Sequence, residues 1–234
     1  MMAAAVAACG GMYGTARETS MFAVRSFVVE GAPAPVAAEV RAVLQRFSGT
    51  SLLALNGAAV LRAVDDLPTV VSAQYDRSFP HELRVRVVAE TPVAVVRRGN
   101  GAWLASARGR IIAAIPRRRY RSLPRIWLPG STKLAIGNFL AGDAAASARA
   151  LRAFVDSRFA HRVLWARVAD GRLALRLHSG LAVNFGAPTS LPLKIAVVRS
   201  ILPTLAAPHA GGPTYLDLSV PERPVAGRDS QPEG

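Results

Sequence analysis

The side chains that usually carry chemistry are few in this chain and poorly placed for it. His81, His161, His178 and His209 lie far apart, and none has a second ligand at a metal-binding spacing such as HxxxH. Cys9 is the lone cysteine, in an apolar leader with no partner base, which excludes a disulfide framework and any cysteine-rich zinc or iron–sulfur site. Asp65 and Asp66 are neighbours on a helical pattern. Successive helical side chains point about 100° apart, so the two carboxylates cannot share a substrate as an acid–base pair. The chain contains neither a GxSxG elbow nor a GxxxxGK[ST] phosphate loop. No catalytic residue, metal, cofactor or small-molecule substrate is therefore expected, and the chain reads as a non-enzyme.

Charge and backbone remain. There are 29 basic and 15 acidic residues in 234, a net +14, which invites a nucleic-acid or anionic-membrane partner. All the basic residues but Lys133 and Lys194 are Arg, a usage that GC-rich coding also produces. The densest cluster is Arg117, Arg118, Arg119, Tyr120 and Arg121, with Arg125 close by. It offers cations and one ring for base stacking, but it follows Pro116 in an apparent loop between strands. A solvated loop is the first reading. For a chain outside the cell the functional reading is contact with lipid headgroups or cell-wall polymers rather than nucleic acid. By pattern alone, Lys194, Arg199 and Asp217 read as solvated faces of amphipathic elements.

The strand Thr214 to Val220 is different. Thr214, Tyr215, Leu216, Asp217, Leu218, Ser219 and Val220 are followed by a polar, proline-containing tail, expected to be disordered. Nothing downstream would then cover the strand, whose free backbone could receive a strand from another chain. The alternative is a buried or self-capped edge.

The positioning elements follow from periodicity. Phe22 to Glu30 reads as a strand ending at Gly31. Pro33 and Pro35 open a helix with Val36, Val40, Val43, Leu44 and Phe47 on one face and Gly49 past its end. Asn56 is placed to cap a second helix carrying Val60, Leu61, Val64 and Leu67, stopped at Pro68. Val70 to Arg77 and Leu83 to Val87 form a hairpin around Ser78-Phe79-Pro80-His81. From Pro92 short strands dominate, ending in the alternating runs Leu173/Leu175/Leu177 and Leu181/Val183/Phe185. One helix is capped by Asp143, and another carries the stripe Leu193, Val197 and Ile201. The fold class is α+β: a β-α-α-β-β domain over 21–91, a mostly antiparallel β domain with two helices over 92–222, and a disordered tail over 223–234. The leader, 1–20, includes an uncharged apolar run of 13 residues, Met1 to Tyr13. A bilayer needs about 20 such residues, so the run reads as the outer half of a transmembrane helix.

These segments together resemble the FtsQ/DivIB family. Phe22 to Gly31 looks like the first strand of its polypeptide-transport-associated (POTRA) domain. Gly49-Thr-Ser-Leu-Leu53, Leu67-Pro68-Thr-Val70, Arg77-Ser-Phe79-Pro80 and Leu83 to Ala94 follow in the family's order. So do Trp103 to Ser106, Gly109 to Ile112, Gly180 to Gly186, Lys194 and Tyr215 to Ser219. The resemblance covers roughly Phe22 to Gly227. It implies a non-enzymatic division scaffold, single-pass in the cytoplasmic membrane, with its bulk outside at the septum. It also implies a POTRA domain that aids recruitment and a β domain that binds FtsB- and FtsL-type partners, partly by strand addition at the last strand. Carried over, that strand is Thr214 to Val220, supported by the helix that holds Lys194. The sequence departs from the family pattern in lacking a basic cytoplasmic tail, and in having Ser106 where an acidic residue often precedes the Gly109 turn. The alternative class is a POTRA-containing outer-membrane assembly or secretion factor, although neither repeated POTRA units nor barrel strands are visible.

Overall fold

A computed structural model of the chain describes residues 20–157, 159 and 162–228, in two compact units, Met1–Glu90 and Thr91–Gly234. The expectations for Met1 to Tyr13, Cys9 and His161 fall outside the described residues.

The first unit runs β1 (Ser26–Glu30), α1 (Ala34–Leu44), α2 (Gly57–Asp65), β2 (Val70–Ser78) and β3 (Glu82–Ala89). The sheet order is β1-β3-β2, with β1 parallel and β2 antiparallel to the central strand. Local chemistry explains the elements. Pro33 and Pro35 preset the first turn of α1. The Asn56 side chain accepts from the Ala59 amide at 3.1 Å and starts α2. The alternation on β3 buries Leu83, Val85 and Val87 against Val40, Leu44, Val60 and Val64 of the helices. β1 begins four residues later than the sequence suggests, because Ser20–Phe22 form a 3-10 turn and Ala23 makes only a single bridge to Ser51.

On the outer face Arg84 meets Glu82 at 2.9 Å and Glu30 at 3.6 Å, while Arg86 meets Glu30 at 3.3 Å. The hydrogen bond to Glu82, helped by the charges of Glu82 and Glu30, holds the Arg84 guanidinium above its ordinary pKa.

The second unit runs β4 (Pro92–Arg98), β5 (Gly101–Ser106), β6 (Ile111–Ala114), β7 (Arg125–Trp127), α3 (Gly142–Asp156), β8 (Val163–Ala169), β9 (Arg172–Leu177), β10 (Ala182–Gly186), α4 (Leu191–Ile201), β11 (Tyr215–Asp217) and β12 (Val225–Gly227). One nine-stranded sheet holds them in the order β12-β11-β10-β9-β8-β7-β4-β5-β6. Pairing is mostly antiparallel, with parallel contacts at β4·β7, β7·β8 and β10·β11. The fold is α+β, with two α-helices in each unit among the described residues.

The main core gathers Leu151 and Phe154 of α3 with Val163, Leu173, Leu175 and Phe185. Phe154 meets Phe185 edge-on at 5.3 Å. A second, smaller cluster of Val95, Ala102, Leu104 and Ile112 is packed by Ile115 and Leu123 from the loop before β7.

Three local details differ from the sequence reading. Ala141 caps α3, and Asp143 sits in its first turn, where a carboxylate complements the helix dipole. The inward stripe of α4 is Leu191, Lys194, Ile195 and Val198, while Leu193 is 51% exposed. That helix is apolar on several sides, so spacing alone could not choose its buried face. At the Gly109 turn the buried Ser106 hydroxyl accepts from the amides of Arg108 at 3.2 Å and Arg110 at 3.1 Å, which holds the turn without an acidic side chain.

Candidate partner interface

β11 carries the residues that the sequence singles out, and its surroundings correct the expectation of an uncovered strand. β10 pairs with it in parallel through Ala182↔Tyr215, Val183↔Leu216 and Asn184↔Asp217. β12 pairs antiparallel on its other side through Tyr215↔Gly227, Leu216↔Ala226 and Asp217↔Val225. Residues 223–228, expected to belong to a disordered tail, thus supply the outermost strand. Backbone pairing explains why: three residues after the Pro221–Pro224 turn meet the bare amides of β11 at little entropic cost. The strand itself is shorter than Thr214 to Val220, since regular pairing stops at Asp217.

The singled-out side chains divide by role. Leu216 and Leu218 are buried in the main core. Asp217 accepts from the Ser219 amide at 2.7 Å and from the Asn184 side-chain amide at 3.2 Å, fixing the chain as it leaves β11. Thr214 donates its amide to the Gly227 carbonyl at 2.9 Å. Val220 is 53% exposed. Tyr215 lies over Gly227, where an added Cβ would come within 2.5 Å of its hydroxyl, so the glycine admits the ring and the ring covers the edge. Gly186, at φ +60°, lets Ser219 pack against the end of β10.

Lys194 is not on the surface. It is buried, and its ammonium donates to the carbonyls of Phe185 at 2.6 Å and Ala187 at 2.9 Å, tying α4 to the chain leaving β10. Its contribution to an interface is to hold β10, and through it β11. Arg117, Arg118, Arg119 and Arg121 are exposed on the loop before β7, at the opposite half of the sheet. The loop is anchored by Ile115 and Leu123 in the smaller core and by the Arg117 guanidinium on Asn100 at 3.2 Å.

The two ends of the sheet are unequal. The outer side of β6 is partly covered, since Ile111 donates to Asn138 and accepts from Gly137, both at 2.8 Å. β12 has no strand on its outer side among the described residues, and Val225 and Ala226 are exposed. Sequence reasoning missed Val225, Ala226 and Gly227; the only signal was the short turn Pro221-Glu-Arg-Pro224 between two possible strands.

No group of three or more metal-ligating side chains forms among the described residues. A cavity of about 750 Å³ between β7, β8 and the start of α3 is lined by Trp127, Phe139, Leu140 and Trp165, with Asp143, Lys133 and Arg167 as its ionisable residues. The Ser147 hydroxyl there donates to the Asp143 carbonyl and accepts from the Val168 amide, so it is held as a structural bridge. Leu191–Ala210 is long and apolar enough to cross a membrane by length and composition. It consists of α4 followed by 3-10 turns at Leu202–Thr204 and Pro208–Ala210, with Leu191, Ile195 and Val198 in the main core.

A small α+β unit is followed by a large, mostly antiparallel sheet that ends, among the described residues, at β12. Comparison with known proteins narrows the class. Residues 22–88 match the family described as POTRA domain, FtsQ-type. Over 210 residues the chain is 24% identical to the cell division protein FtsQ of Streptomyces venezuelae, covering 89% of this chain and 75% of that protein. The first unit is thus a POTRA domain of the FtsQ type, and the similarity of most of the chain to a cell division protein supports a role in cell division.

Proposed function

We propose that the protein is a non-enzymatic, membrane-tethered scaffold of the division machinery, binding FtsB- and FtsL-type partners through its β domain. The receiving edge is the outer side of β12, Val225–Gly227, with β11 and Tyr215 behind it as support. The observation that carries this reading is that, among the described residues, no strand lies beyond β12 at that end of the nine-stranded sheet, in contrast to the covered start of β6. A partner strand there would gain main-chain hydrogen bonds without any rearrangement of the core. Thr214 to Val220 contribute by positioning β12, and Lys194 by fixing the β10–α4 connection. The first unit, as a POTRA domain, would aid recruitment to the septum. The family match gives no support to the outer-membrane assembly alternative.

Proline at Val225 and at Ala226, in separate variants, tests the edge. Alternate residues of an edge strand turn their N–H outward, so one of the two prolines removes an outward donor and spares the inward ladder. That variant should keep its thermal unfolding and lose capture of an FtsB-type partner by at least about tenfold, of the order expected for a lost hydrogen-bonded contact. Capture retained by both variants would overturn the assignment.

A further inference from the structure

Arg97, the penultimate residue of β4, is only 5% exposed. One of its terminal nitrogens donates to the Arg117 carbonyl at 3.2 Å, and its guanidinium lies 5.7 Å from the centre of the Trp127 ring. Its Nε is buried with no hydrogen-bond partner, and no carboxylate among the described residues pairs with it. Register sets the surroundings. Val95 lies opposite Arg125 and Arg97 opposite Trp127, so alternation puts Arg97, Arg125 and Trp127 on one face of the sheet. The Arg117–Arg121 loop crosses that face, bringing a second guanidinium close. Burial, followed by the charges of Arg117 and Arg125, pushes the Arg97 pKa down.

A desolvated cation beside two like charges is an unstable arrangement by itself. Folded proteins resolve it with an anion that also fills the open donors. We propose that Arg97, Arg117 and Arg125 form a binding site for a phosphate-class oxyanion, on the face of the sheet that carries Trp127. A carboxylate would offset one of the three charges, whereas a phosphate or pyrophosphate group offsets two or more. Its tetrahedral oxygens also accept from several guanidinium forks at once. Trp127, 58% exposed, lies beside Arg97, and the crossing loop carries Tyr120, 38% exposed; such amphipathic rings suit a headgroup region. A free phosphate compound and a phospholipid headgroup present the same chemistry. The site does not depend on the β12 edge.

The test uses the full chain with 15N-labelled arginine, following the Arg97 Nε–H resonance. Sodium pyrophosphate is titrated against sodium chloride at matched ionic strength. In a second arm, flotation compares phosphatidylglycerol with phosphatidylcholine vesicles. Saturable movement of the Arg97 resonance with pyrophosphate supports a free-phosphate ligand, and selective flotation with phosphatidylglycerol supports a headgroup. Because the unit is highly basic, the decisive control is a charge-matched pair of double variants. R117Q/R125Q should weaken binding by about tenfold or more, the scale of lost charge-assisted hydrogen bonds. R149Q/R152Q, on the exposed side of α3, should leave it within about twofold. R125K keeps the charge without the fork, is the mildest change for folding, and should weaken binding by about threefold. Absence of binding in both arms, an equal response to chloride, or equal weakening by the two double variants would overturn the proposal.

Discussion

The two units manage charge in opposite ways. Residues 1–90 contain eight basic and eight acidic side chains, while residues 91–234 contain 21 and seven, so the whole net charge belongs to the second unit. In the first unit the polar face of the sheet pairs its charges, with Glu30 bridging Arg84 and Arg86 across β1 and β3. In the second unit two cations have been drawn inward onto backbone carbonyls, Lys194 fully and Arg97 only in part, with its Nε left open. Lys194 holds two carbonyls and Arg97 one. An excess of positive charge is therefore not only a surface property. Part of it fastens helices and loops to the sheet, and the remainder, as at Arg117–Arg121, is left for solvent or an anionic partner.

Four substitutions would break or sharpen this contrast. The largest effect should come from Phe154→Ala, which empties the meeting point of α3 with Phe185 in the second unit. About 3–5 kcal/mol of stability should be lost in denaturant unfolding. Lys194→Met keeps the bulk and removes the donor, leaving the Phe185 and Ala187 carbonyls without their ammonium. A loss of about 1.5–3 kcal/mol is expected; a neutral outcome would show that the buried cation is dispensable and weaken the contrast. Asn56→Ala removes the cap of α2 and should cost about 1 kcal/mol, read by thermal unfolding, with no effect on the second unit. Smallest of all, Glu30→Gln should shift Tm by about 1–3 °C at low salt, a shift that vanishes near 1 M salt because the paired groups are well exposed.

The first unit was the more legible from sequence. Prolines 33 and 35, Asn56 and the alternation at Leu83, Val85 and Val87 are local signals, each acting within a turn or a strand. The second unit was legible in its elements but less so in its edges. The face of α4 was misjudged because Leu193 and Val197 are as apolar as Ile195 and Val198. Lys194 looked like a surface residue because nothing in the sequence announces two carbonyls waiting at the end of β10. The outermost strand was missed: Thr214 to Val220 alternates clearly, whereas Val225–Gly227 is too short to show any period.

What the sequence determined by itself was the set of helices and longer strands and the family resemblance. These rest on caps, periodicity and ordered motifs that operate over neighbouring residues. Tertiary structure decided that β12 covers β11, because three residues become a strand only when another strand's amides lie beside them. It likewise decided that Arg97 is enclosed, because burial of a side chain depends on elements brought together from distant parts of the chain.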